Sequence, residues 1–369
     1  MPDKPFIGML GAFPPPVTGQ AKNMLQFYED IRDRAGVDPV QYNLSTGAFR
    51  RTFRMVLKKS LRYARYWFSL IFHAASRRKF LYIVSEGDRT LAMTLMTVLV
   101  GRLCGHTIIL QHRSFAYINK YNRFMAFTNR ALNARAKHVF LTEGMAARFF
   151  ELYRPAWDYR VNHNLAQSAL IWRAARRTPR RRAPTGGSIT VGLLSNLMTT
   201  KGLDTFINVA RRAHEAGLNA RFELAGPAAG AAEEAMIDDA VRELQGRFVH
   251  HDSRHGDDKI AFLRGLDVFL FPTRYRFEAQ PNVVLEALCC GCAVVSTDRG
   301  CIAEDLSDMG GWVVAKERAA DPEAYFEIIK SLEADRAGTN RMRAKALCNT
   351  RSRLKRAVTE YDQFLDLFR

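Results

Sequence analysis

The chain has 369 residues, 47% of them hydrophobic and 11% aromatic, with a formal net charge of +18. That length is too great for one typical core and suits two globular domains, while the charge calls for an anionic partner: nucleic acid, anionic lipid or a phosphorylated substrate. The longest apolar stretch, around residues 91–101, is too short to span a bilayer and runs into Arg102. No secretory leader is visible, because the first apolar run meets Pro14, Pro15 and Pro16; the expected location is cytoplasmic. The six cysteines form no secreted framework, and the C-x-x-C of Cys289 and Cys292 reads as small residues packing at a helix end.

Apolar runs of strand length alternate with helical stretches from end to end. In the first half they fall at residues 5–12, 39–45, 79–86, 107–113 and 137–143. In the second half they fall at 188–196, 220–227, 247–253, 268–273, 292–297 and 311–315. Such alternation predicts two parallel, doubly wound α/β sheets. Ligands of such sheets sit at the carboxyl ends of the strands. The Arg-, Pro- and Gly-rich stretch 172–187 reads as a linker. The expected division is therefore 1–171, linker 172–187, 188–350, and a terminal helix at 351–369 with apolar residues at helical spacing.

In chain order, the first candidate is the loop GAFPPPVTG after the first strand, where Gly11 to Gly19 would let backbone approach a phosphate closely. Next come residues 46–85, which contain no Asp or Glu. Arg51, Arg54, Lys58, Arg62 and Arg65 recur there at helical spacing, as do Phe53, Leu57, Leu61, Ala64, Phe68 and Ile71, with Tyr63, Tyr66 and Trp67 among them. A basic helix with an apolar stripe and interfacial rings predicts attachment to an anionic membrane surface; the alternative is that the stripe packs on the sheet. His112 ends the strand 107–113, a position expected to face a cleft. Lys201 lies in a loop between a strand and a helix, where a Lys neutralises a diphosphate as a point charge.

The most informative segment is FEAQPNVVLEALCCGCAVVSTDRG, 277–300. It predicts a strand–loop–helix–strand unit with Gln280 at the N-cap, Pro281 at the first helical position and Gly291 ending the helix near Cys290. A loop feeding a helix start is a natural phosphate site. Glu278 lies in the loop and Glu286 inside an otherwise apolar helix.

The spaced acids, the Pro-started helix, the glycine stop and the apolar strand after it together resemble the donor-binding signature of retaining GT-B glycosyltransferases of the family 4, group 1 type. The resemblance implies a GT-B fold of two Rossmann-like domains with an interdomain cleft. It also implies transfer of a sugar from a UDP- or GDP-sugar with retention and without a metal or other cofactor. By residue, it implies Glu286 on the ribose and Glu278 on the sugar hydroxyls. The helix start from Gln280 and Pro281 to Asn282 and Val283, with Lys201 and Gly19, would hold the diphosphate, and His112 would touch the transferred sugar. It assigns His112, Glu278 and Lys201 to catalysis. The family usually shows G-R-L ahead of K-G; here Ser195 and Asn196 stand where Gly and Arg are expected, so charge balance at the leaving phosphate rests more on Lys201, with Asn196 left as a hydrogen-bond donor. With the basic helix, the expected acceptor is lipid-linked, in polysaccharide or glycolipid assembly on the inner face of the cell membrane. No nucleic-acid partner is expected. A sugar-nucleotide epimerase of the same fold and a basic nucleic-acid-binding protein are the alternative readings.

Overall fold

The computed structural model describes residues 5–15, 18–45, 53–85, 87, 90–132, 135–155, 158–180 and 187–368, the side chains of 53–58 excepted. The chain divides into two compact units, residues 1–167 with 357–369, and residues 168–356.

The first unit is a six-stranded sheet: β1 (Phe6–Gly11), β2 (Val40–Asn43), β3 (Lys79–Ser85), β4 (Thr107–His112), β5 (Lys137–Phe140) and β6 (Tyr159–Val161). All pairings are parallel, in the order β2-β1-β3-β4-β5-β6. The helices between them are α1 (Gly19–Ala35), α2 (Phe53–Phe72), α3 (Leu91–Leu103), α4 (Arg123–Ala131) and α5 (Glu143–Tyr153). Near-continuous apolar strands such as FIGMLG are what a sheet covered on both faces requires. One core joins alternate strand residues, among them Leu10, Leu81, Ile83 and Leu110, to Tyr63 and Leu70 of α2, Val98 of α3 and Ala131 of α4. The opposite core joins Met9, Tyr82 and Ile109 to Phe27 and Ile31 of α1 and to Phe364 and Phe368. Alternation along each strand thus assigns α2, α3 and α4 to one layer and α1 to the other.

The second unit opens with α6 (Ala169–Arg177), followed by β7 (Ile189–Leu194), α7 (Leu203–Glu215), β8 (Ala220–Ala225), α8 (Ala231–Glu243), β9 (Phe248–His251) and α9 (Gly256–Gly265). Then come β10 (Val268–Phe271), α10 (Asn282–Cys290), β11 (Ala293–Thr297), α11 (Ile302–Met309), β12 (Trp312–Val314), α12 (Pro322–Ala334) and α13 (Arg336–Leu365). The sheet is parallel, in the order β12-β11-β10-β7-β8-β9. From Ala357 onward α13 is counted with the first unit. There Phe364 stacks on Phe27 at 5.1 Å and the Tyr361 hydroxyl donates to Asp30 at 2.6 Å.

Two expectations are corrected here. Residues 172–187 are not simply a tether: α6 covers 172–177, Arg176 donates to the Cys289 carbonyl at 3.2 Å and Arg180 to that of Leu266 at 2.6 Å. The arginines that suggested a linker cap carbonyls of the second unit; residues 181–186 of that stretch lie outside the described residues. In addition, β6 adds an edge strand that three residues of mixed character did not announce. Cys289 and Cys292 are buried free thiols, both pushed up by burial, and Cys292 donates to the Leu263 carbonyl at 3.1 Å.

Candidate functional site

In the second unit the chain runs β7, β8, β9 toward one edge and then returns to the other side of β7 with β10. The carboxyl ends of β7 and β10 therefore flank the point where the winding reverses, the usual ligand crevice of such a sheet. Only Val268 with Val191 and Phe269 with Gly192 are in register across this pair, so the strand ends diverge into two loops. The loop after β7 carries Lys201; the loop after β10 carries Glu278.

Lys201 Nζ forms an ion pair with Glu278 Oε2. The ammonium also lies 4.5 Å from the Tyr275 ring centroid, a cation–π contact. The Glu278 side chain, 9% exposed, also faces the Thr273 hydroxyl at 3.4 Å. Tyr275 has its phenol pKa raised, first by burial and then by the Glu278 charge. Glu286 is likewise buried, and Lys259 of α9 donates to its Oε1 at 2.7 Å. Two buried carboxylates each facing a lysine explain how this apolar surface tolerates them.

Two glycines allow the loops to come this close. Gly202 has φ +89°, and a Cβ there would lie 2.2 Å from the Pro272 carbonyl oxygen. Gly300 has φ +59°, and a Cβ there would lie 2.1 Å from the Ala279 carbonyl oxygen. Only glycine fits positions that combine positive φ with backbone contact. Arg274 completes the frame. Its N–H donates to the Thr200 carbonyl at 2.8 Å, and its guanidinium reaches the Thr199 carbonyl at 2.9 Å and both Asp204 oxygens at 2.7 and 2.8 Å. One side chain thus ties the loop bearing Glu278 to the turn bearing Lys201.

The helix start differs by one residue from expectation. Pro281, with extended backbone, is the N-cap, and Asn282 is the first residue of α10. Gln280 does not cap; its amide donates to both Asp305 oxygens at 2.9 and 3.1 Å, which anchors the loop to α11. Val283 follows in the first turn, and Gly291 ends the helix with φ +79°. Asn196 is exposed beyond β7. Two strands away, a cavity of about 460 Å³ is lined by Gly226, Pro227, Glu234, Asp238, His250 and Asp252, among others.

In the first unit, Gly19 opens α1 behind the Thr18 cap, which accepts from Ala21 N–H. The expectation that His112 faces a cleft is not met. Its side chain is fully buried, Nδ1 lies 3.0 Å from the Tyr117 hydroxyl and Nε2 2.9 Å from His138 Nδ1. Burial lowers both imidazole pKa values, that of His138 to about 4. Within this unit His112 is packed as a neutral core residue. Trp67 is a second correction: it turns inward, with Nε1 donating to Thr97 of α3 at 3.1 Å. Arg62 donates to the Ser45 carbonyl and Arg65 is exposed. Arg51 lies outside the described residues, as do the side chains of Arg54 and Lys58.

Residues 188–335 match the family profile described as "Glycosyl transferases group 1". This stretch of the second unit therefore resembles a group 1 glycosyltransferase domain. The complete chain has the GT-B fold, by its likeness to solved structures along its whole length. It aligns with sucrose-phosphate synthase from Thermosynechococcus elongatus over 98% of both chains, at 13% identity and a TM-score of 0.69. HepE from Anabaena, solved in complex with UDP, aligns over 98% of this chain and 99% of that one, at 13% identity and a TM-score of 0.67. The E. coli trehalose-6-phosphate protein bound with UDP-2-fluoro glucose aligns over 99% of both, at 13% identity and a TM-score of 0.67. A sequence comparison with curated proteins gives no significant match.

Sequence reasoning missed Lys259 and Arg274 of this candidate site. Neither carries a local signal: Lys259 meets Glu286 only because α9 packs beside α10, and Arg274 meets Asp204 across the reversal of the sheet.

Proposed function

We propose that this chain transfers a sugar from a nucleotide-diphosphate donor, with retention and without a metal, to a lipid-linked acceptor in polysaccharide or glycolipid assembly at the cytoplasmic face of the cell membrane. The observation that carries this reading is the pair of buried carboxylates, each facing a lysine, at the reversal point of a group 1 glycosyltransferase domain. Lys201 and the start of α10 take the diphosphate, and Glu278 takes the sugar hydroxyls. Glu286, with Lys259 beside it, takes the ribose. From β10 to β9 is three strand spacings, about 14 Å, the reach of an extended nucleoside diphosphate, so the base falls near the cavity at His250 and Asp252. HepE and the E. coli protein, similar in fold, were solved with UDP and with a UDP-sugar analogue. The chemistry is a same-face displacement. The departing phosphate oxygen helps take the acceptor proton, and stabilisation of the leaving charge lowers the barrier.

Thermal unfolding with UDP and with GDP tests the donor reading. At a hundredfold excess over Kd, the bound nucleotide adds about 2.7 kcal/mol of stability. Indifference to both nucleotides would overturn it. With the matching sugar nucleotide, nucleotide release should continue in chelator, and the product should keep the donor's anomeric configuration by NMR.

Arg274 acts on this chemistry through Lys201 and Glu278. Arg274→Ala should lower kcat by about tenfold to a hundredfold, the cost of an ångström-scale misplacement, with a smaller change in KM. Arg274→Lys should recover part of kcat, because one ammonium reaches Asp204 but not Thr199 as well. An unchanged kcat in Arg274→Ala would remove its positioning role.

A further inference from the structure

The helix layer α2–α3–α4 is finished on its inner side and unfinished on its outer side. Inward, Tyr63, Leu70, Val98 and Ala131 are buried against the sheet, with Trp67 packed beside them. Outward, Leu61, Phe68, Ile71 and Phe72 of α2 stand exposed, Phe68 at 74% and Phe72 at 84%; Leu103 of α3 at 87% and Phe127 of α4 at 51% join them. Leu61, Phe68 and Ile71 recur at helical spacing and mark one stripe, turned away from the core. Single exposed apolar residues are ordinary; a run of large ones along one layer marks an interaction surface.

The charge pattern selects the partner. The three helices carry eight Lys or Arg residues and no Asp or Glu. Arg65, Arg102, Arg123 and Arg130 are exposed on them. Among the described residues no acid of these helices is available to pair with a protein's mixed charges. A surface that combines bulky apolar side chains with cations of one sign matches an anionic bilayer, which offers hydrocarbon beneath a negative headgroup plane. We propose that this outer face, rather than α2 alone, is a membrane-docking surface: Phe68 and Phe72 enter the acyl region while the arginines hold the headgroups. The proposal deepens the reading of a lipid-linked acceptor and names the face that meets the lipid. It reverses the roles expected of the rings, since Trp67 belongs to the core and the phenylalanines to the membrane.

Flotation of the full chain with vesicles provides the test. Vesicles of phosphatidylcholine with phosphatidylglycerol should carry the wild-type protein up the gradient; vesicles of phosphatidylcholine alone should carry far less. Phe68→Ser with Phe72→Ser should lower partitioning by a factor of about ten or more, since each phenylalanine contributes apolar transfer free energy. Arg65→Glu with Arg123→Glu should abolish the preference for anionic vesicles. Both double variants should keep the wild-type melting temperature and the nucleotide-induced shift. Equal flotation of the phenylalanine variant and wild type would overturn the proposal, as would a wild-type protein that ignores both vesicles. Vesicle binding without any nucleotide shift would uphold the docking surface and sink the donor reading, so the two fail separately.

Discussion

Lys201→Ala and Glu278→Ala are each expected to lower kcat/KM by about two to three orders of magnitude, the scale on which a preorganised polar contact with the reacting groups acts. Each residue is the other's counter-charge. Under the proposed reading, removing Lys201 takes the point charge from the leaving diphosphate; it also leaves Glu278 with only the Thr273 hydroxyl, at 3.4 Å, among its observed side-chain contacts. Removing Glu278 leaves Lys201 over the Tyr275 ring without the carboxylate that orients it. Each single change therefore costs its own donor contact and part of the other's. The double variant should cost well below the product of the singles, with a coupling of about 1–3 kcal/mol. Asn196 stands where the resembled family usually has Arg, so under the proposed reading Lys201 has fewer cationic neighbours at the phosphate, which places its effect at the upper end. Steady-state nucleotide release across the four-membered cycle measures this. Wild-type kcat/KM in both single variants would sink the assignment; multiplicative losses would show that the ion pair is not the organising contact.

Legibility in the sequence followed the range of the interactions. Strands buried on both faces announced themselves as apolar runs, and all eleven expected runs contain a strand. β6, three residues at an edge, had no such run. The 277–300 segment was readable because the glycine stop and the apolar strand that follows are local devices; its helix start slipped by one residue because Pro281 is extended. Tertiary partners were not readable. Nothing near Glu286 announces Lys259, and nothing near Lys201 announces Arg274. His112 was placed correctly at the end of β4, but its direction was set by His138, Tyr117 and Phe140 packing around it. For α2 the heptad-like stripe was visible, yet amphipathicity alone does not say which of two apolar faces meets the sheet. Tyr63, Tyr66, Trp67 and Leu70 took that place, and the stripe of Leu61, Phe68 and Ile71 was left outside.

Asp267→Ala is expected to destabilise the second unit more than any change at the site itself. Asp267 precedes β10 at the end of the sheet away from Lys201 and gathers three arginines, one from the stretch after α6 and two from α13. Its Oδ1 accepts from Arg343 at 2.9 Å; its Oδ2 accepts from Arg336 and from the Thr190 N–H, each at 3.1 Å; Arg180 lies 4.0 Å from Oδ1. Arg343 is 6% exposed and also caps the Gly291 and Leu266 carbonyls, so it cannot swing out to water without breaking further bonds. Removing the carboxylate leaves a buried guanidinium uncompensated beside two others. Loss of one partner of a buried ion pair costs about 3–5 kcal/mol, and for a domain of this size that lowers the melting transition by about 6–20 °C. Asp267→Asn should fall less, because the amide oxygen still accepts from Thr190 or one arginine. Because the cluster sits at the amino ends of β7 and β10, molecules that remain folded should bind nucleotide as the wild type does. Calorimetry at neutral pH reads the first effect and nucleotide titration below the transition reads the second. A transition within about 2 °C of wild type, less than 1 kcal/mol by the same scale, would mean that the three arginines find water or other carbonyls and that α13 is held to this unit by packing alone.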